Sequence, residues 1–205
     1  MSAAAAGVKP GTIWYIMGKS ASGKDSLYRE LLQRIPSLRT YVMYTTRPMR
    51  EHEIDGVTYH FTDQAAIDAF AAEGRLIESR TYQTIYGPWT YATVDDGQID
   101  LAAGSYLMPG TLESYEKIRK YYAGSVIPVY IEVEDGQRLM RAIRREMEEK
   151  VPKYAELCRR FLADAKDFSE ERLQAAGIEK RYENDDFESC IRRIMKDMLC
   201  QDSGT

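Results

Sequence analysis

A short segment near the start of the chain has the residue types and spacing of a loop that binds phosphate. Gly18, Gly23 and Lys24 match the pattern G-x-x-x-x-G-K. Glycines let backbone N–H groups curl around phosphate oxygens, and the lysine can reach the β- and γ-phosphates of a nucleotide. The candidate nucleotide-binding residues are the whole run: Gly18, Lys19, Ser20, Ala21, Ser22, Gly23, Lys24, Asp25 and Ser26. The alternative is a Gly/Ser-rich turn that caps a helix, but the strand–loop–helix context favours phosphate binding.

The residue after Lys24 departs from the pattern, which requires Ser or Thr there. This chain has Asp25 at that place and Ser26 one position later. The Asp25 carboxylate could hold Mg²⁺ beside a triphosphate, directly or through water. It could instead point away and stabilise the N-terminus of the following helix. Asp25 and Ser26 are therefore the candidate metal ligands, with the helix role as the alternative for Asp25.

A second group of cationic residues follows about twenty positions later. Arg47 and Arg50 lie three residues apart, and Pro48 favours an extended conformation for Arg47. Two arginines in such a loop can converge on one phosphate through forked, charge-assisted hydrogen bonds. The alternative is a solvated basic loop.

The elements around these residues indicate an α/β protein. Residues 12–17 form a short apolar run typical of a strand buried on both faces, and Leu27, Leu31 and Ile35 recur at helical spacing up to Pro36. Further strands are predicted at 41–44, 57–61, 76–82, 106–108 and 126–133, and further helices at 63–72, 112–122, 135–149, 153–167 and 186–199. Strands that alternate with helices predict a parallel sheet, and the strand-rich stretch 45–93 is interpreted as an insertion.

Composition limits the function classes. The 205 residues carry 28 basic and 32 acidic side chains, so the net charge of −4 argues against a strongly basic nucleic-acid binder. The chain shows neither a secretory leader nor 18 consecutive apolar residues, which predicts no contact with a membrane. Cys158, Cys190 and Cys200 form no C-x-x-C pair and favour a reducing compartment, so we expect a cytoplasmic protein. Residues 1–10 are expected to be a flexible N-terminus.

The order of motifs resembles that of the guanylate kinase family from Gly11 to about Met198. The phosphate-binding loop is followed by Thr-Thr-Arg-x-x-Arg at 45–50, by Gly-x-x-Tyr-x-Phe at 56–61, by Leu-Ile-Glu at 76–78 and by Tyr-Gly at 86–87. Later, Arg141 and Arg145 lie four apart on a predicted helix, and Arg160 lies on the next one. Taken alone, these arginines would be read as a charged helix surface with partners such as Glu146 and Glu148.

The resemblance implies an ATP:GMP phosphotransferase that uses ATP and Mg²⁺ and yields GDP and ADP. Its implied fold is a P-loop NTPase-type parallel sheet core flanked by helices (11–44 and 94–205), with an inserted mixed β/α acceptor-binding lobe (45–93) and a helical lid (about 138–160). By resemblance, Arg47, Arg50, Tyr59 and Tyr86 would hold the phosphate of GMP, Glu78 would read its base, and Asn184 would lie beside adenine. Catalytic roles fall to Lys24, Arg47, Arg141, Arg145 and Arg160. The implied partners are small nucleotides rather than nucleic acid or a membrane, and the implied state is a monomer or homodimer.

Departures from the family's pattern lie near the acceptor. Met108-Pro109-Gly110-Thr111 stands where the family has an acidic pair, and no carboxylate follows until Glu113. Met43 and Pro88 replace hydroxyl residues, and four extra residues lie around 151–154. These changes leave two alternatives open: a kinase of another nucleoside monophosphate or phosphorylated small molecule, and a non-catalytic interaction module with the same architecture.

Overall fold

The computed structural model of the protein describes residues 11–84 and 86–202. Its strands are β1 (Ile13–Gly18), β2 (Arg39–Thr40), β3 (Tyr44–Thr45), β4 (His60–Phe61), β5 (Leu76–Thr84), β6 (Gly87–Val94), β7 (Tyr106–Gly110), β8 (Val126–Glu132) and β9 (Arg181–Glu183). Its helices are α1 (Lys24–Arg34), α2 (Gln64–Ala72), α3 (Leu112–Tyr122), α4 (Asp135–Met147), α5 (Tyr154–Asp167), α6 (Glu170–Ala175) and α7 (Phe187–Asp202). The predicted flexible segment 1–10 lies outside the described residues.

The chain divides into two compact units, each built from three stretches of sequence. The first unit comprises the chain up to Ile13, Ser37–Tyr106 and Lys117–Val126. The second comprises Trp14–Pro36, Leu107–Glu116 and the chain from Ile127 onward.

A five-stranded sheet has the strand order β2-β7-β1-β8-β9. Strand β1 is apolar throughout its first five residues and these are at most 2% exposed, as expected of a strand covered on both faces. Strands β8 and β9 pair in parallel, with Tyr130 opposite Arg181 and Glu132 opposite Glu183. Their connection runs through α4, α5 and α6, because parallel neighbours need a long crossover. The prediction of a parallel α/β core flanked by helices is confirmed.

The first unit contains a four-stranded mixed sheet in the order β4-β3-β6-β5. β3 pairs with β4 in parallel and with β6 antiparallel, and β5 and β6 form a long antiparallel hairpin. A small core of Ile67, Ala92 and Val94 lies between α2 and this sheet, with Phe70 and Leu76 against it. Asp63 begins α2, since its carboxylate accepts the N–H of Ala66 at 2.8 Å.

Two strand predictions were wrong in extent. Residues 41–43 lie between β2 and β3 and belong to neither strand. The Val42 N–H donates to the Gln98 side chain, and the buried Tyr41 hydroxyl accepts the Val94 N–H and donates to the Val94 carbonyl. The Met43 carbonyl accepts the N–H of His60 on β4. The strand predicted at 57–61 is reduced to β4. Its first residues belong to a turn in which the N–H groups of Val57 and Thr58 bond the Ile54 carbonyl.

Four elements carry too weak a sequence pattern to be predicted individually: β2, β6, α6 and β9. The other predicted helices agree with α1 to α5 and α7 within a few residues. Among the described residues, no helix is long and apolar enough to cross a bilayer.

Candidate functional site

The loop between β1 and α1 depends on close backbone approach. A Cβ on Gly18 would lie 2.6 Å from the Ile131 carbonyl oxygen, so no larger residue fits where β1 ends. Gly23 has φ of 84° and Ala21 has φ of 63°. The left-handed conformation costs an alanine about 1–2 kcal/mol, so the surrounding structure must hold Ala21 in place.

Asn184 packs directly against this loop. Its side-chain amide donates to the Ser22 carbonyl at 2.7 Å, and a Cβ on Gly23 would lie 2.4 Å from the same nitrogen. The Asn184 N–H bonds the Glu132 carbonyl at the end of β8, which fixes its backbone. Arg141, on α4, donates to the Asn184 carbonyl at 2.9 Å. The structure therefore brings Asn184 and Arg141 together beside the loop.

The first turn of α1 contains two charged residues, of which Asp25 faces solvent and Lys24 is mostly covered. Lys24 begins the helix, and its Nζ pairs with the carboxylate of Asp25, whose side chain is 85% exposed. Gly23 supplies no side-chain cap, so the helix N-terminus keeps N–H groups and a positive partial charge available for an anion. The Ser22 hydroxyl is buried and has no hydrogen-bond partner among the described residues.

No group of three or more His, Cys, Asp or Glu residues in the described part of the chain could hold a metal ion by itself. Asp25 and Ser26 are nevertheless exposed at the start of α1. Mg²⁺ keeps several waters and is commonly bound by one or two protein oxygens together with substrate phosphates. These two residues therefore fit a metal that arrives with a nucleotide, and they do not form a metal cage of their own.

Two further loop residues are tied to α4 and α5. Lys19 pairs with Asp135 at 3.1 Å, and the Ser20 N–H donates to Asp164 at 2.8 Å. Burial raises the pKa of Asp135, but hydrogen bonds from Lys19 and Arg138 outweigh it and leave that pKa below its usual range. Arg138, which contacts both carboxylates, was not among the residues predicted for the site.

The remaining arginines of the predicted lid lie on exposed helix faces. Arg145, on α4, is exposed, and Arg160, on α5, pairs with Glu156 at 3.0 Å while its side chain stays 59% exposed. Arg159 shares this partner, and hydrogen bonds from Arg159 and Arg160 lower the pKa of Glu156 to about 2. These guanidinium groups remain accessible to an anion.

In the first unit, Arg47 is buried and held in one orientation. Two of its nitrogens donate to the two oxygens of Glu53 at 2.8 and 2.7 Å, and the guanidinium lies 5.3 Å from the ring centre of Tyr59 and 5.6 Å from that of Phe61. Only 4% of Arg47 is exposed, so the alternative of a solvated basic loop is wrong for this residue. Arg50 is exposed, and its N–H also donates to Glu53.

Glu53 is a residue that the motif did not reveal. Hydrogen bonds from Arg47 and from the Arg50 N–H lower its pKa to about 2. The hydrogen bond to Glu53 raises the pKa of Arg47 further above its ordinary value. The signal in the sequence was the carboxylate of Glu53, which lies six positions after Arg47. A loop of that length can turn back and bring the carboxylate to the guanidinium.

Glu78 lies inside the sheet of the first unit. It is 3% exposed, its Oε1 accepts the Thr93 hydroxyl at 3.0 Å, and its Oε2 lies 3.4 Å from Nε of Arg80. Thr93 and Arg80 were not predicted for the site. Arg80 could have been found from strand periodicity, since residues two apart share a face.

The two predicted tyrosines have different surroundings. Tyr59 packs edge-on against Tyr91 at 5.7 Å and lies beside Arg47. Tyr86, by contrast, is 77% exposed next to the β5–β6 turn and stacks on Trp89 at 6.1 Å. The structure thus groups Tyr59 with Arg47 and places Tyr86 at an exposed hairpin end.

The end of β7 and the start of α3 contain a network of hydroxyl groups. The hydroxyls of Tyr15 and Ser114 lie 2.6 Å apart, and the Ser114 hydroxyl lies 3.0 Å from that of Thr111. A Cβ on Gly110 would lie 1.8 Å from the Tyr15 hydroxyl, so this glycine makes room for the ring. The Ser114 side chain therefore bonds those of Tyr15 and Thr111 at this place, where the resemblance predicted a departure from an acidic pair.

The fold and the glycine loop define the class of protein. The structure matches the crystal structure of guanylate kinase from Anaplasma phagocytophilum with a TM-score of 0.67, over 96% of this chain and 88% of that one. Sequence identity in this comparison is 17%, so it establishes a shared fold. The chain has the fold of a guanylate kinase.

Sequence comparison carries this further. The family model described as guanylate kinase matches residues 12–200, and the chain therefore belongs to the guanylate kinase family. A guanylate kinase of Alkalilimnicola ehrlichii is 29% identical over 93% of this chain and 99% of its own length. Those of Chromobacterium violaceum and Granulibacter bethesdensis are 31% and 33% identical, over 65% and 57% of this chain. The matches with these two span 62% and 54% of the relatives' own lengths.

Proposed function

We propose that this protein transfers the γ-phosphoryl group of ATP to GMP, producing ADP and GDP. Membership of the guanylate kinase family supports the reaction, since the relatives named above are guanylate kinases. The observation that carries the proposal is the loop at Gly18–Gly23, where close approach excludes larger residues and a helix N-terminus lies open. Small nucleotides in the cytoplasm are the proposed substrates, and the proposed active form is a monomer or homodimer.

The donor nucleotide is assigned to the second unit. Lys24 and the amides of residues 18–26 bind the ATP phosphates, because the lysine and the α1 N-terminus both favour negative charge. Asp25 and Ser26 hold the Mg²⁺ that accompanies ATP, and Asn184 lies beside the adenine.

The acceptor is assigned to the residues 45–93. Arg47, Arg50, Tyr59 and Tyr86 bind the phosphate of GMP, and the Glu78 carboxylate accepts hydrogen bonds from the guanine edge. Arg47 supports this role because its guanidinium is already oriented by Glu53 and two rings. A cation that is held before binding loses less entropy when the phosphate arrives.

Phosphoryl transfer requires that the two nucleotides be held in line and that the negative charge of the transferring group be neutralised. An oxygen of the acceptor phosphate attacks the γ-phosphorus in line, the bond to the β–γ bridging oxygen breaks, and ADP leaves. No side chain serves as nucleophile. Lys24, Arg47, Arg141, Arg145 and Arg160 neutralise the charge that spreads over the transferring group, and the lid formed by about 138–160 excludes water that would otherwise hydrolyse ATP.

A second acceptor class is favoured by one observation. Arg80 lies 3.4 Å from the proposed base-reading carboxylate of Glu78. The positive charge of Arg80 gives the Glu78 carboxylate a partner within the protein, so this carboxylate selects less strongly for guanine. Another nucleoside monophosphate or phosphorylated small molecule is therefore the second candidate.

A turnover panel tests both candidates. ATP and Mg²⁺ are supplied with GMP, dGMP, AMP, UMP or sugar phosphates, and ADP formation is measured. We expect the highest kcat/KM with GMP and a sharp loss of turnover in Lys24→Ala, while Lys120→Ala, an exposed lysine on α3, keeps wild-type rates. A different best acceptor would support the second candidate. Calorimetry that detects neither ATP nor GMP would support a non-catalytic module.

A further inference from the structure

Arg138 is a buried cation whose contacts lie at the glycine loop. It belongs to α4, is 1% exposed, and its guanidinium carbon lies 4.1 Å from the ring centre of Phe161 on α5. Nε and Nη2 donate to Asp135 at 3.1 and 3.0 Å. Nη1 donates to Asp164 and to the Ser20 carbonyl, both at 3.2 Å. We call Lys19, Ser20, Asp135, Arg138 and Asp164 the loop brace.

Within the loop brace, both backbone polar groups of Ser20 form hydrogen bonds with side chains. Its N–H donates to Asp164 at 2.8 Å while its carbonyl accepts from Arg138 at 3.2 Å. Lys19 completes an alternating row of two cations and two carboxylates, which leaves the buried charges paired. The conformation of the loop at Ser20 is thus set by α4 and α5.

The geometry of the Ser20–Ala21 peptide means that the contact at the Ser20 carbonyl also sets the direction of the Ala21 N–H. A trans peptide is planar, so its carbonyl and the following N–H point in opposite directions. Arg138 holds the Ser20 carbonyl, and the Ala21 N–H therefore points away from Arg138. A flip of this peptide would change φ of Ala21, which stands at 63°, and would release the strain of a left-handed alanine.

We propose that Arg138 is a positioning residue for the ATP site: it keeps the Ser20–Ala21 peptide from flipping, so that the Ala21 N–H can donate to a phosphate of ATP. This inference rests on the proposed function, because it assigns ATP to the glycine loop. Arg138 itself need not touch the nucleotide. Its action passes through the Ser20 carbonyl, and it links the α4–α5 pair to the shape of the loop.

The test measures ATP binding by calorimetry without acceptor, so that it does not depend on turnover. Arg138→Met replaces the guanidinium by an apolar side chain of similar length. Because it removes the cation paired with Asp164, the variant should also be less stable, and its folding is checked by circular dichroism before binding is measured. We expect ATP binding about tenfold weaker and GMP binding unchanged. The matched control is Arg181→Met, which removes an arginine with two carboxylate partners, Glu132 and Glu170, elsewhere in the second unit.

A rescue variant separates positioning from general stability. Glycine adopts positive φ without penalty, so Ala21→Gly in the Arg138→Met background should restore most of the lost ATP affinity. A structural defect elsewhere would not respond to this change. Arg138→Lys, which keeps the charge but cannot contact the Ser20 carbonyl and both carboxylates together, should fall between wild type and Arg138→Met.

The inference is overturned if folded Arg138→Met binds ATP like the wild type, or if Ala21→Gly fails to restore binding. Should Arg138→Met not fold, unchanged ATP binding in Arg138→Lys overturns it equally. Wild-type protein that binds ATP but transfers no phosphoryl group to GMP would contradict the proposed function and leave this inference standing.

Discussion

Arg47, which we propose binds the phosphate of GMP, is held in one orientation by its neighbours. Its guanidinium is buried against Tyr59 and Phe61, and Glu53 occupies two of its nitrogens. Glu53 orients the guanidinium and also neutralises it, so an arriving phosphate must share Arg47 with a carboxylate. In the proposed function a phosphate dianion competes with this carboxylate because it carries more negative charge and its oxygens also accept charge-assisted hydrogen bonds.

The first prediction at this scale concerns acid stability. The folded-state pKa of Glu53 is about 2 against an ordinary 4.5, so its pairing stabilises the fold above pH 4.5 and that contribution is lost as the pH falls towards 2. Glu53→Gln removes the titrating group. We expect the urea midpoint of this variant to fall less between these two pH values than that of the wild type.

Glu116→Gln, at an exposed position on α3, serves as the matched control and should follow the wild-type pH profile. An identical acid profile for Glu53→Gln and wild type would contradict the prediction, because it would mean that the Arg47 pairing adds nothing to stability.

At the residue scale, sequence predicted positions better than partners. Lys24 and Arg47 were predicted from local motifs that chain spacing defines, and Glu78 was predicted from the resemblance to guanylate kinases. Glu53, Arg80 and Arg138 were missed because their roles depend on what folds against them. A buried arginine on a charged helix has the same sequence pattern as an exposed one, and only packing distinguishes Arg138 from Arg145.

At the scale of elements, the start of α1 raises the question of whether Asp25 stabilises the helix, holds Mg²⁺ or does both. Its N-terminus has no side-chain cap, and Asp25 lies in its first turn. There it can favour the helix by about 0.3–1 kcal/mol through the macrodipole, and in the proposed function it also holds Mg²⁺. Only the metal-binding role predicts that Asp25 affects the Mg²⁺ concentration needed for turnover.

The second prediction separates those roles with Asp25→Ala. We expect the Mg²⁺ concentration for half-maximal turnover to rise several-fold, because a carboxylate ligand is lost. ATP binding measured without metal should change little. Asp68→Ala, an exposed acidic residue on α2, is the control. An unchanged Mg²⁺ requirement would assign Asp25 to the helix alone.

At the element scale, long periodic segments were predictable and short strands were not. Helices such as α3 and strands such as β1 have enough residues for their apolar pattern to appear. The two-residue strands β2, β3 and β4 are defined by the partners they meet, and β9 by its pairing with β8. The Tyr41 hydroxyl, which satisfies the Val94 backbone, shows how a side chain can replace a strand contact that the pattern predicts.

For the whole molecule, the net charge of −4 conceals the charge distribution that matters. Two groups of arginines belong to the proposed sites: Arg47 and Arg50 in the first unit, and those on α4 and α5, such as Arg141 and Arg160, in the second. Within these groups, Arg47, Arg138, Arg159 and Arg160 each pair with a nearby carboxylate. A modest negative total is therefore compatible with two sites that each bind a small anion.

The last prediction uses ligand-linked stability to test whether each unit holds its own nucleotide. A ligand at 100 times its Kd stabilises the folded state by about 2.7 kcal/mol. For a chain of this length that corresponds to a rise in Tm of roughly 5–10 °C. ATP and GMP should each produce such a shift separately in a thermal melt.

Lys24→Ala should abolish the shift with ATP and keep the shift with GMP, because Lys24 belongs to the second unit and the proposed GMP residues belong to the first. Loss of both shifts in Lys24→Ala would show that the two nucleotides do not bind independently, and it would contradict the assignment of donor and acceptor to separate units.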